Sequence, residues 1–358
     1  MECRVAVIIP AKNEEENIVQ CLESLFNQTY PVDLILVVND GSTDNTELIL
    51  QKLQNRYPNL TYITNTVPRL KAGAINQGLE TLKRYGNFQF VLIGDADTYF
   101  YPDVVEKGVA ILTKDPKIGG VCSISAPAPL QEPQNWLARL LYRLQKLEYG
   151  EFTAERTRTW KGVLIMPGLC SLFRMSALLD VGGYTEGLLL EDYDITLKLK
   201  EHGWKTVFSP AIKAETQIPL TLKQLIRQRI RWFRGGLEIL QLHGINKFTW
   251  SDFAEHLLFG FLLLLIVSVT FGSIVLLRGQ HPLVKFSPTS LPAIVSFLLA
   301  SITIIGGFYR LRSLYKKDRV DVLIKAFILP ELFYSFIVYF CVRLYSYFLF
   351  FFQKTKKW

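Results

Sequence analysis

Short β-branched runs alternate with stretches of helical spacing through the first hundred residues, and that alternation constrains the fold more than any other feature of the chain. Val5–Ile9, closed by Pro10, reads as a buried strand, as do Leu34–Val38, the weaker Tyr62–Thr64, and Phe88–Ile93. Between them, Glu14–Phe26 sets Ile18, Cys21, Leu22 and Leu25 on one side of a helix. Asp44–Leu53 starts behind the capping residues Ser42, Thr43 and Asp44, and a third helix lies near Ala72–Tyr85. Such alternation predicts an α/β domain with a mostly parallel sheet covered on both faces.

Further along, the chain changes character. Its 358 residues are 20% charged and 13% aromatic, with a mean hydropathy of +0.20, which suits a polar domain joined to a greasy one. Polar residues dominate as far as Lys247. Beyond it, Leu257–Leu277 and Leu291–Tyr309 are each about 20 residues with almost no charge, enough to cross a bilayer as helices. Leu332–Phe352 is a third candidate, interrupted by Arg343. The expectation is a domain over 1–220, an amphipathic segment over 221–246, and a membrane region over 253–357 with spans near 257–277, 291–309 and 332–352. The alternative is that these runs are core helices of a soluble protein. The basic loop Arg310–Lys325 belongs on the cytosolic side, although three full spans then place Lys354, Lys356 and Lys357 outside.

The net charge of +8 calls for an anionic partner. Basic residues cluster at Arg227–Arg234, Arg310–Arg319 and Lys354–Lys357, all beside apolar segments, which favours a phospholipid surface over nucleic acid. The five cysteines, Cys3, Cys21, Cys122, Cys170 and Cys341, are scattered with no CxxC pair, against a zinc site or disulfide framework and for a reducing compartment. Val5–Ile9 is too short for a signal peptide, so the first domain is expected in the cytosol.

Ligands of an open parallel sheet bind beyond the carboxyl ends of its strands. The loops there are Pro10–Glu14, Asn39–Ser42 and Gly94–Asp97. Asp40 is placed to accept hydrogen bonds from a base or ribose, though a DGS sequence also makes an ordinary turn. Asp95 and Asp97 can converge on one hard cation, Mg²⁺ or Mn²⁺, whose shell substrate phosphates complete; they also suit solvated loop acids. No Walker loop or dinucleotide fingerprint follows the first strand. Glu191, Asp192 and Asp194 follow the turn Gly182–Gly183–Tyr184. One ionised carboxylate there can serve as a general base, and the same acids suit the first turn of a helix over Tyr193–Glu201.

Leu222–Leu240 carries Leu222, Ile226, Ile230, Phe233, Leu237 and Leu240 on one narrow stripe, with Gln228, Arg231 and Trp232 opposite. Flanking basic residues suit a helix lying in a membrane interface, with Trp232 turned away from lipid and packed beneath a site. Burial against the first domain without a catalytic part is the alternative. Gly235–Gly236 is a place for this helix to bend or end.

In order and spacing, VAVIIPAKNEEENI, VVNDGSTD, KAGAINQGL (Lys71–Leu79), GDADTYF, LLEDYD and QRIRW resemble the family 2 glycosyltransferases of the GT-A fold. The resemblance is to the branch of cellulose, chitin, hyaluronan and poly-N-acetylglucosamine synthases, and it runs from Val5 to Trp232. It implies a Rossmann-like GT-A sheet in which Asp40 holds uridine, with Pro10, Ala11 and Glu14 lining the same pocket and Lys71 near the nucleotide or diphosphate. Asp95 and Asp97 would bind the donor diphosphate through Mg²⁺ or Mn²⁺, and Asp192, beside Glu191, would be the catalytic base. Gln228, Arg231 and Trp232 would form the QxxRW signature over the diphosphate and acceptor end.

The implied activity is inverting transfer of GlcNAc or Glc from a UDP-sugar to a growing β-linked polysaccharide, by a multi-pass protein of the cell (inner) membrane. An export partner or homo-oligomer would be its associates. Asn39 stands where an acid is frequent, and Leu190 where Thr often precedes Glu-Asp. Polymer synthases of the branch usually carry spans before the catalytic domain, which this chain lacks. That shorter membrane part suits the alternative, transfer of one or a few sugars to a membrane lipid.

Overall fold

The computed structural model describes residues 3–127, 135–158, 162–278, 334 and 336–353. It forms two compact units, Met1–Leu242 with Tyr345–Trp358, and His243–Leu344.

The first unit is built on an eight-stranded sheet of order β3-β2-β1-β4-β7-β6-β8-β5. β1 (Val5–Ala11), β2 (Leu34–Asn39), β3 (Leu60–Thr64) and β4 (Phe90–Gly94) are parallel neighbours. Three helices connect them: α1 (Ile18–Phe26), α2 (Thr46–Arg56) and α3 (Leu70–Tyr85). This half matches the expected topology. The other half is mixed, so that four of the seven neighbouring pairs in the sheet are parallel and three antiparallel. β7 (Cys170–Arg174) runs antiparallel to both β4 and β6 (Ile118–Pro127), β8 (Lys205–Thr216) runs parallel to β6, and the short β5 (Thr98–Phe100) closes the edge antiparallel to β8.

Strand periodicity divides β1 between two core layers. Val5, Val7 and Ile9 pack with Ile18, Leu22 and Leu50 on one face, while Ala6 and Ile8 pack with Ala74, Ile75 and Leu79 on the other. A strand buried on both faces carries no polar alternation, which is why it reads as one apolar run. Gly78 lets α3 lie directly on β1, since a Cβ there would stand 2.8 Å from Ile8.

Two boundaries shift from expectation. α1 begins at Ile18 rather than Glu14, because Glu14–Asn17 forms a turn in which Glu14 O accepts from Asn17 N and Ile18 N. α2 begins at Thr46, and the expected caps serve otherwise. Ser42 Oγ accepts from Asn13 N at 2.9 Å and Thr43 N donates to Asn13 Oδ1 at 2.8 Å, so the loops after β1 and β2 are stitched together. Asp44 alone faces the helix start, accepting from Thr46 N.

Four helices complete this unit before its last long one: α4 (Val104–Lys114), α5 (Trp136–Arg158), α6 (Met175–Asp180) and α7 (Glu191–Glu201). α8 (Leu222–His243) then runs unbroken through Gly235–Gly236. In the second unit, α9 (Trp250–Arg278) is 29 residues long and exposes Leu257, Leu258, Phe261 and Leu264. A π-helical stretch (Phe336–Val342) leads into α10 (Arg343–Phe352). Among the described residues, no helix is long and apolar enough to cross a membrane. Of the expected spans, 257–277 falls on α9, 291–309 lies outside the described residues, and 332–352 overlaps α10. Arg343 is held by Glu255 at 2.8 Å and lies over the Phe259 ring.

Candidate active site

Parallel pairing of β2, β1 and β4 brings their three C-terminal loops to one edge, with Ala11 opposite Asn39. β7 then runs back along β4, setting Cys170 opposite Gly94, so the loop before it arrives at the same edge. The candidate residues from Pro10 to Asp97 gather here, joined by the start of α7.

Asp40 is 4% exposed and already serves the protein. Its Oδ1 accepts from Asn65 Nδ2 at 3.0 Å and Arg69 N at 2.7 Å, and its Oδ2 accepts from Leu70 N at 2.9 Å. These bonds hold Leu70 at φ 62°, a left-handed conformation that costs a branched residue energy. Asp40 thus fixes the turn that launches α3 and aims Lys71, leaving about one of its four acceptor positions for a ligand.

Lys71 Nζ lies 2.5 Å from Asp95 Oδ1 and 3.3 Å from Glu191 Oε1. Burial opposes its charge, but the Asp95, Glu191 and Asp192 carboxylates outweigh that and raise its pKa. Asp97, which accepts from Thr216 Oγ1 at 3.3 Å, is pushed up to about 7 by burial, then by Asp95 and Glu14. Burial also raises Glu14, against its hydrogen bond from Asn17. Burial thus favours the protonated forms of Glu14 and Asp97, and a cation placed against them would favour the ionised ones. Among the described residues no group of three or more side chains could hold a metal ion alone. The two aspartates fit Mg²⁺ or Mn²⁺ when phosphate oxygens complete the shell.

Asp192 opens α7. Its Oδ1 accepts from Tyr193 N at 2.9 Å and its Oδ2 from Gly168 N at 3.3 Å. Burial and the adjacent Glu191 raise its pKa to about 6, against the pull of Lys71 and Arg231. A Cβ on Gly168 would stand 2.7 Å from Lys71 Nζ, so a side chain at this spot would push the lysine's flexible end aside.

The turn leading to α7 is clipped to α3 by Asn76, whose Oδ1 accepts from Tyr184 N at 2.9 Å while its Nδ2 donates to Tyr184 O at 2.8 Å. Gly168, Asn76 and Thr216 carried no assignment from the sequence. Pro167–Gly168 is a dipeptide of the kind that makes turns, but nothing local ties it to Lys71.

α8 departs from the expected wheel. Its buried set is Leu225, Arg229, Ile230, Arg234, Gly235, Gly236 and Ile239, while Leu222 is exposed. The glycines are the reason. A Cβ on Gly235 would stand 2.5 Å from Leu190 Cγ, so the small-residue face packs on the chain just before α7. Gln228 and Trp232 are half-buried and Arg231 is exposed. Arg231's charge reaches Asp192, and Trp232 meets Phe152 of α5 edge-on at 5.9 Å.

Carboxylates and a lysine gathered at the strand ends of an α/β sheet stand where ligands of such sheets bind. Residues 3–235 match the profile described as glycosyltransferase like family 2, and the chain belongs to that family. It is 27% identical over 239 residues to a poly-beta-1,6-N-acetyl-D-glucosamine synthase of Staphylococcus epidermidis, covering 66% of this chain and 55% of the relative. The Staphylococcus aureus (strain COL) protein of that name is 28% identical over the same coverage. The chain thus spans about half the length of these curated relatives. The fold resembles the mannosyltransferase PcManGT from Pyrobaculum calidifontis, solved with GDP-Man and Mn²⁺, with a TM-score of 0.66, 20% identity, and coverage of 99% of this chain and 89% of that one.

Proposed function

We propose that this family 2 glycosyltransferase is a membrane-bound, inverting enzyme that transfers GlcNAc or Glc from a UDP-sugar to a growing β-linked polysaccharide. The observation that carries the reading is Lys71 bridging Asp95 and Glu191 beside Asp192. It joins a cation, which in this reading faces the diphosphate, to a carboxylate of raised proton affinity at one sheet edge. The polysaccharide synthases among its relatives support the class of product.

In this reading Asp192, ionised above pH 6, takes the proton from an acceptor hydroxyl. The freed oxygen attacks the sugar's anomeric carbon from the face opposite the diphosphate, the bond to the diphosphate oxygen breaks, and UDP leaves. Inversion follows from this single displacement. Glu191 holds Lys71, whose charge faces the leaving diphosphate, and Arg231 adds a second cation. Asp40 holds uridine through its remaining acceptor position, with Pro10, Ala11 and Glu14 along the same wall. Asp95 and Asp97 would hold Mg²⁺ or Mn²⁺, which would supply charge stabilisation to the diphosphate. Gln228, Arg231 and Trp232 close over the diphosphate and acceptor end.

The membrane assignment rests on the exposed Leu257, Leu258, Phe261 and Leu264 of α9 and on the uncharged runs that follow in sequence. The topology proposed with it is multi-pass, with the catalytic domain on the cytosolic side together with the basic loop Arg310–Lys325.

The direct test incubates membranes containing the protein with Mn²⁺ and radiolabelled UDP-GlcNAc, UDP-Glc and, from the fold neighbour, GDP-mannose. The expected result is label from UDP-GlcNAc in a high-mass, water-soluble fraction. Label confined to the organic phase would replace the polysaccharide with a lipid acceptor, and no incorporation from any UDP-sugar would overturn the donor assignment.

A smaller effect tests the packing. Gly168→Ala should melt within about 3 °C of the wild type, because the flexible end of Lys71 gives way. Transfer should nevertheless fall by about 10- to 100-fold as Lys71 leaves Asp95. An unchanged rate would remove Lys71's placement from the mechanism.

A further inference from the structure

α8 hides a full positive charge inside the Gln228–Trp232 segment. Arg229 is 1% exposed and, among the described residues, is the bulkiest side chain buried so completely. A guanidinium taken out of water needs a counter-charge. Glu148 of α5, 5% exposed, provides it, with Arg229 Nη2 donating to Glu148 Oε2. The same guanidinium touches two of the proposed signature residues. Its Nη1 donates to Gln228 Oε1, and its central carbon lies 4.0 Å from the centre of the Trp232 ring. Phe152, one helical turn beyond Glu148 and on the same face of α5, meets that ring edge-on.

We infer that the buried Glu148–Arg229 pair is a positioning device that orients Gln228 and Trp232 for transfer. Arg229 has only donors, so it draws the Gln228 carbonyl oxygen toward itself and turns the amide NH₂ group toward the substrate side. Gln228 then presents donors, the chemistry that fits diphosphate or sugar hydroxyl oxygens. Trp232 is held by the planar cation and by Phe152, so its ring plane is set before any acceptor arrives. Arg229 and Glu148 themselves touch no substrate. A pair serving only to join α5 to α8 would not need to contact the signature residues, because apolar residues of similar volume join helices as well or better.

This inference rests on the reading that Gln228 and Trp232 face the diphosphate and acceptor, so the experiment separates the two. Transfer from radiolabelled UDP-GlcNAc with Mn²⁺ is measured for the full chain in membranes, together with UDP affinity and melting. The variants are Arg229→Lys, the double variant Glu148→Leu/Arg229→Met, Gln228→Ala and Trp232→Ala. Lysine keeps the ion pair but loses the plane and fork that reach Gln228 and Trp232 together. Arg229→Lys is therefore expected to melt near the wild type and to lower kcat by about 100-fold, with any loss of UDP affinity well below the loss of kcat. The double variant should fold and stay equally slow. Wild-type kcat in Arg229→Lys or in the folded double variant, alongside inactive Trp232→Ala, would overturn the positioning role alone. Full activity in both Gln228→Ala and Trp232→Ala would overturn the signature reading beneath it.

Discussion

Asp192→Asn is expected to lower sugar transfer by about 10³-fold while UDP affinity stays within about twofold, because a general base acts on the acceptor rather than on the nucleotide. Asparagine keeps the shape of the side chain, so α7 should still start where it does. What it removes is the proton acceptor. The wild-type pH profile reports the same group. Burial and Glu191 lift Asp192 to about 6, so kcat should be level above that value and fall as pH drops through it, since only the ionised form takes a proton. The variant should lose that limb. Steady-state rates against pH, with UDP binding measured separately by calorimetry, check both parts. UDP binding lost together with transfer would move Asp192 from the acceptor side to the donor pocket.

The parts of the fold legible in the sequence are those whose burial is continuous. β1, β2 and β4 carry no exposed position, so their apolar runs stand out without any partner. β8 alternates exposed and buried residues and contains Lys205, Pro210 and Lys213, and β6 opens on Gly119–Gly120. Neither offers a run to read, and the mixed half of the sheet was correspondingly missed. Gly235–Gly236 suggested a break in α8, but small residues serve here as the contact face onto Leu190. A helical wheel that counts only large apolar residues cannot see such a face.

The site divides in a similar way. Asp40, Asp95, Asp97 and Asp192 stand at strand or helix ends, where local pattern identifies them. The bond from Lys71 to Glu191 spans 120 positions and depends on β7 turning back along β4. Glu148 and Arg229 lie 81 positions apart, and only the packing of α5 on α8 makes them partners.

Asp97→Ala should abolish the Mn²⁺ dependence of donor binding and reduce UDP-sugar affinity on the order of 100-fold, the scale of losing a divalent cation from a diphosphate. Asp97 is the cleaner choice of the pair, because Asp95 also anchors Lys71, so its removal would disturb two cations at once. Titrating UDP-GlcNAc with and without Mn²⁺ measures the effect, and chelation supplies the control. Stripping metal from the wild type should cost about as much as the substitution, while stripping it from the variant should cost nothing further, since both remove the same interaction and cannot add. Uridine lacks the diphosphate and should bind both proteins equally through the Asp40 side of the pocket. A variant that still gains affinity from Mn²⁺ would show that the cation is held elsewhere. Lys71, paired with Asp95, would then be the cation left beside these carboxylates.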